Sequence, residues 1–168
     1  MRRSLSLAAI IVTALLLQTT IFADVKLLGA RPELMYLVTI VIAIFEGPDS
    51  GAIAGFAGGM SQDFLLDAPK GITALTLTLL GYTMGQLRQY IVSPSPVLPV
   101  FLVGGGTFAG VLFYGLVSFL LGQLDTGALN LFRMAALSAA YNAILTPLAY
   151  PVLRRAVAGS RSRKLLRW

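Results

Sequence analysis

The chain has 168 residues, of which 57% are hydrophobic and 12% charged, and its mean hydropathy is +0.81. Soluble domains carry about 25% charged residues, so too little polar surface is left to hold a fold of this size in water; a bilayer removes that need, because lipid solvates apolar side chains directly. Cysteine and histidine are both absent, which excludes disulfides, thiol redox chemistry, the usual zinc sites and histidine-based acid–base catalysis. The net charge is +6, with basic residues gathered toward the termini, where they set membrane orientation before they suggest nucleic acid.

The apolar runs predict an all-α integral membrane protein: one transmembrane domain over 1–168, a compact bundle of six helices at about 5–23, 33–46, 51–66, 72–87, 97–121 and 131–153, with a basic tail over 154–168. In a bilayer every backbone group needs an internal partner, so spans are helices or closed barrels, and the alternating segments of a barrel are missing from the sequence. The first run follows Arg2 and Arg3 and resembles a secretory signal, but no A-x-A cleavage pattern follows and the run continues to span length. Pro32 opens the second run, at a place where a missing N–H is no loss, and Gly47-Pro48 closes it. The third run is rich in glycine and contains Asp63; the fourth ends before Arg88; Ser93-Pro94-Ser95-Pro96 is a turn-rich connector. The fifth holds Gly104-Gly105-Gly106, and the sixth carries Asn142, Pro147 and Pro151.

Lysine and arginine counts fix the expected orientation. With six spans and the N-terminus inside, the cytoplasmic side holds nine basic residues (Arg2, Arg3, Arg88, Arg154, Arg155, Arg161, Arg163, Lys164, Arg167) and the outer side four (Lys26, Arg31, Lys70, Arg133). That excess is what the positive-inside rule expects of an inner membrane protein with both termini cytoplasmic. The short second and third runs fit either two spans or a re-entrant hairpin, because parity and counts are the same for both; two spans is the reading adopted.

Gly51, Gly55, Gly59 and Asp63 recur every four residues and so share one helix face. Such a stripe lets a neighbouring helix approach closely, either inside the subunit or from a partner. Asp63 near the end of a span is costly unless satisfied; the candidates are capping of the fourth helix, pairing with Lys70 or Arg31, or a proton relay. Asn142 offers hydrogen bonds across helices, and Pro147 frees a carbonyl one turn back. No nucleophile with a base, no phosphate-binding loop and no aspartyl dyad can be found, so no catalytic residue, metal or cofactor is expected. Arg154, Arg155, Arg161, Arg163, Lys164 and Arg167 read as a surface resting on anionic lipid.

Pro32, then Gly51-x-x-x-Gly55-Phe56-x-x-Gly59-x-x-x-Asp63 and Gly71, with Asn142 and Pro147 in the last helix, resemble the rod shape-determining protein MreD family. The resemblance covers nearly the whole chain. It implies a non-enzymatic membrane scaffold of the bacterial cell-wall elongation (peptidoglycan) machinery that binds a single-span MreC-like partner. Through that partner it would connect to MreB, RodA and RodA's partner transpeptidase. It also implies a fold similar to the substrate-binding subunits of energy-coupling-factor transporters. Self-association within the complex stays open. A vitamin-binding transport subunit is the alternative, but the Ala-x-x-x-Ala docking pattern of its first helix is missing: Ala8 is followed by Val12 and Ala9 by Thr13.

Overall fold

The computed structural model describes residues 2–20, 32–65, 71–90, 97–123 and 127–161. They form six α-helices: α1 (Arg2–Thr20), α2 (Leu34–Glu46), α3 (Pro48–Leu65), α4 (Ile72–Leu87), α5 (Leu98–Leu120) and α6 (Ala128–Arg161), with a short 3-10 turn at Arg88–Tyr90. No strand occurs among the described residues. By length and composition α5 and the 128–157 stretch of α6 are apolar enough to cross a membrane, and both are mostly exposed; 7–20 and 34–46 are shorter apolar helices.

The organising element is the shortest helix. α2 packs against each of the other five, and every residue from Leu34 to Ala43 is buried. Its composition (LMYLVTIVIAIFE) is apolar on all sides, which suits a helix enclosed by other helices rather than one with a single buried stripe. Ile40, Val41 and Ile42 are wholly inaccessible. At 13 residues α2 rises only about 20 Å, less than the roughly 30 Å of a hydrocarbon core.

Close approaches set the register of the bundle. A β-carbon built on Gly51 of α3 would stand 2.6 Å from the Ala43 methyl of α2 and 2.6 Å from the Gly81 carbonyl oxygen of α4. On Gly106 of α5 it would meet Ile40 Cδ1 at 2.7 Å and Met84 Cε at 2.8 Å, and on Gly110 the Tyr36 ring at 2.5 Å. Helix α3 therefore runs antiparallel to α2 and α4, and α5 antiparallel to α2. Gly58 faces Met35 and Ile11, and Gln18, late in α1, accepts from the Met35 N–H at the start of α2, which sets α1 antiparallel to α2 and so parallel to α3. Six of the seven described arginines (Arg2, Arg3, Arg88, Arg154, Arg155, Arg161) fall at one end of the bundle and Arg133 toward the other.

Several boundaries differ from those read in the sequence. Helix α3 begins at Pro48, not at Gly51, because Gly47 turns the chain with φ 98°, a conformation open to glycine. Proline then takes the first helical position and Asp49 the first turn, where the helix dipole favours an acid. Pro32 lies buried before α2, whose first helical residue is Leu34. Helix α6 does not stop at Leu153. It runs through Pro147 and Pro151 to Arg161, and buried Leu153 and Val157 keep it packed. Arg154, Arg155 and Arg161 are thus helical, whereas Arg163, Lys164, Arg167, Lys26, Arg31, Lys70 and the Ser93–Pro96 connector lie outside the described residues.

The triple glycine of α5 divides into three environments: Gly106 is packed tightly, a β-carbon on Gly104 would meet the Ala143 methyl at an ordinary 3.5 Å, and one on Gly105 would have nothing within 4 Å. Gly105→Ala should therefore raise stability by up to about 1 kcal/mol through helix propensity. Gly85→Ala, whose β-carbon would overlap the Pro48 backbone, should cost about 1–3 kcal/mol. Thermal unfolding of the two variants in detergent micelles checks both signs.

Candidate functional site

The Gly51, Gly55 and Gly59 stripe lies against α4. Gly55 abuts the Leu77 carbonyl, and a β-carbon on Gly59 would stand 2.5 Å from Ala74 Cα and 2.8 Å from the Thr73 carbonyl oxygen. From the α4 side, Gly81 abuts Gly51 and Gly85 abuts Pro48. From Pro48 to Gly59 the two helices thus touch backbone to backbone over about three turns, and α4 fills this face. Lipid supplies no hydrophobic drive for such a pair, so packing and hydrogen bonding must hold it.

Asp63 finishes the seam. Its side chain is 1% exposed, and Oδ2 accepts from the N–H of Gly71 at 2.8 Å and of Ala74 at 3.2 Å. These are among the amides that a helix start leaves unpaired, and the positive end of the α4 dipole faces the carboxylate. Gly71, with φ 102°, bends the chain so that its own N–H joins Ala74's on that oxygen.

A second polar assembly sits at the same end of the bundle, around Glu33. The side-chain amides of Gln18 (α1) and Gln62 (α3) each donate to Glu33 Oε2 at 3.4 Å. Gln18 Oε1 accepts from the Met35 N–H at 3.2 Å. Asn142, wholly buried in α6, donates through Nδ2 to the Glu33 carbonyl at 2.8 Å and to Thr107 Oγ1 of α5 at 3.0 Å. The residue that precedes α2 thereby joins α1, α3, α5 and α6. Thr146 donates to the Asn142 carbonyl at 2.6 Å, one residue before Pro147, the proline that cannot donate to Ala143.

The structure brings Gly51, Gly55, Gly59, Asp63 and Gly71 together in one seam and places Asn142 in the neighbouring node; Pro32 leads into that node, and Arg154, Arg155 and Arg161 stand at the opposite end. Glu33 and Thr107 are not among the residues that motif and spacing single out. The available signal was three carboxamides, Gln18, Gln62 and Asn142, inside apolar runs, each of which needs a partner in lipid. Asp63 Oδ1, Gln62 Oε1 and Asn142 Oδ1 are buried and have no donor among the described residues. Among the described residues no three His, Cys, Asp or Glu side chains come together. What this chemistry can do is fasten helices to one another.

Asp63→Ala should cost about 2 kcal/mol by orphaning the Gly71 and Ala74 amides, whereas Asp63→Asn, which keeps an acceptor, should cost less. Equal losses for the two in detergent unfolding would remove the capping role. Comparison with known proteins gives one match: the family model described as rod shape-determining protein MreD covers residues 1–156. No curated protein and no solved structure matches the chain. A match over this much of the sequence shows the family, and the chain belongs to the MreD family of rod shape-determining membrane proteins.

Proposed function

We propose that the chain is a non-enzymatic scaffold of the cell-wall elongation machinery that spans the inner membrane six times and binds an MreC-like single-span partner. The observation that carries this reading is the family assignment over residues 1–156. The internal bonding is consistent with it. The glycine seam, Asp63, Glu33 and Asn142 all hold helices to one another, leaving outward faces as the means of action. The arginine-rich end supports cytoplasmic termini under the positive-inside rule. Short α2 is compatible with a bundle that crosses the bilayer, because its neighbours rather than lipid enclose it.

The outward ridge of α6 is continuous. Leu129, Phe132, Ala136, Ala140, Ile144, Leu148 and Val152, three or four residues apart, are all exposed, and the ridge runs the length of a full span. A single-span helix fits such a surface best where small residues let it approach, at Ala136 and Ala140. The partner should co-purify with the wild-type chain in mild detergent. Ala140→Trp should lower its recovery about tenfold, the equivalent of 1.4 kcal/mol, without lowering the unfolding temperature of the isolated chain. Failure of the wild type to recover any single-span partner, with rod shape maintained when the gene is deleted, would refute the scaffold reading.

A further inference from the structure

A groove of about 460 Å³ opens between α1 and α3. Ala8 and Ile11 of α1 line one wall, and Ile53, Ala54, Ala57 and Ser61 of α3 the other. We propose that this groove holds one acyl chain of an anionic phospholipid of the arginine-rich leaflet, with the headgroup at the start of α1. The assignment of that leaflet to the cytoplasmic side rests on the orientation proposed above; the groove itself does not.

Length is the first argument. Along α3 the lining runs from Ser50 to Ser61, a rise of about 16 Å. A hydrocarbon core is roughly 30 Å thick, so one leaflet is about half of that. The α1 wall, Leu7 to Val12, is shorter, so the groove stays within one leaflet, where a partner's transmembrane helix would need a slot through both. Position is the second. The groove starts beside Leu7 and Ser50, near the beginnings of α1 and α3, at the end where six of the seven described arginines lie.

Charge is the third. Arg2 and Arg3 open α1 one turn before the groove. Glu46 and Asp49 are the acids at the same end, fewer than the arginines. Basic residues at a membrane surface draw anionic lipid, and the helix start here sets two of them in sequence one turn before an apolar slot. The walls bind the tail without a polar demand of their own, since Ser61 Oγ already donates to the Ala57 carbonyl at 2.8 Å.

The test uses the full chain in neutral detergent, titrated with phosphatidylglycerol or phosphatidylcholine and followed by native mass spectrometry and thermal unfolding. Wild type should retain phosphatidylglycerol and unfold at a higher temperature with it, and respond weakly to phosphatidylcholine. Ala57→Phe fills the groove from an exposed position; it should abolish retention while unfolding like wild type without lipid. The Arg2→Gln, Arg3→Gln double variant should weaken phosphatidylglycerol roughly tenfold and leave phosphatidylcholine unchanged. Equal retention by Ala57→Phe and wild type, or equal response to the two lipids, would overturn the proposal. So would loss of the single-span partner from Ala57→Phe, which would give the groove to a protein helix. Lipid retention with no co-purifying partner, and with rod shape kept when the gene is deleted, would sink the scaffold reading and leave this one standing.

Discussion

Along α3 and α4 no side chain separates the two backbones, and the placement of the other helices follows from that contact. Gly51, Gly55 and Gly59 on one helix, with Gly81 and Gly85 on the other, bring carbonyls and α-carbons into direct contact. The narrow pair that results leaves room beside it for α2, whose Ala43 rests against Gly51 and whose Met35 rests against Gly58. The same device recurs on α5, where Gly106 and Gly110 admit Ile40 and Tyr36. Glycine is poor in helices in water, but where lipid offers no hydrophobic drive, close van der Waals contact is what makes helices adhere. α2 can be short and largely apolar because its neighbours enclose it.

Packing alone does not distinguish one rotation of a greasy helix from another, and the polar groups supply that distinction. Glu33 fixes the start of α2 against α1 and α3 through its carboxylate and against α6 through its carbonyl. Asn142 passes the connection on to Thr107 of α5. Asp63 fixes the start of α4 against the end of α3. Each of these bonds is modest in water, but in a bilayer the alternative is a polar group with fewer partners. All of them lie toward the end of the bundle away from six of the seven described arginines.

Much of this was legible in the residues. Six apolar runs gave six helices, and the four-residue spacing of Gly51, Gly55, Gly59 and Asp63 gave one face. Spacing alone did not say which helix would occupy that face; that depended on Gly81 and Gly85 in α4, a four-residue glycine pair passed over at the sequence level. The start of α3 was displaced because Gly47-Pro48 reads as a break, whereas a left-handed glycine followed by proline also begins a helix. The end of α6 was displaced because Pro147, Pro151 and the arginines resemble a stop, while buried Leu153 and Val157 carry the helix on. Glu33 escaped notice because an acid beside a proline at the edge of an apolar run looks like a loop residue. Its role arises from Gln62, 29 residues away, and Asn142, 109 residues away.

The bond between Asp63 and the start of α4 has a consequence for how the chain is made. Neither α3 nor α4 is among the helices long and apolar enough to cross a membrane unaided, and α3 carries a carboxylate that hydrocarbon rejects. The amides that receive that carboxylate belong to residues synthesised 8 and 11 positions later. The carboxylate of α3 therefore finds its partners only once the start of α4 has been made, which ties the segment from Pro48 to Leu87 into a single hairpin closed by local bonds.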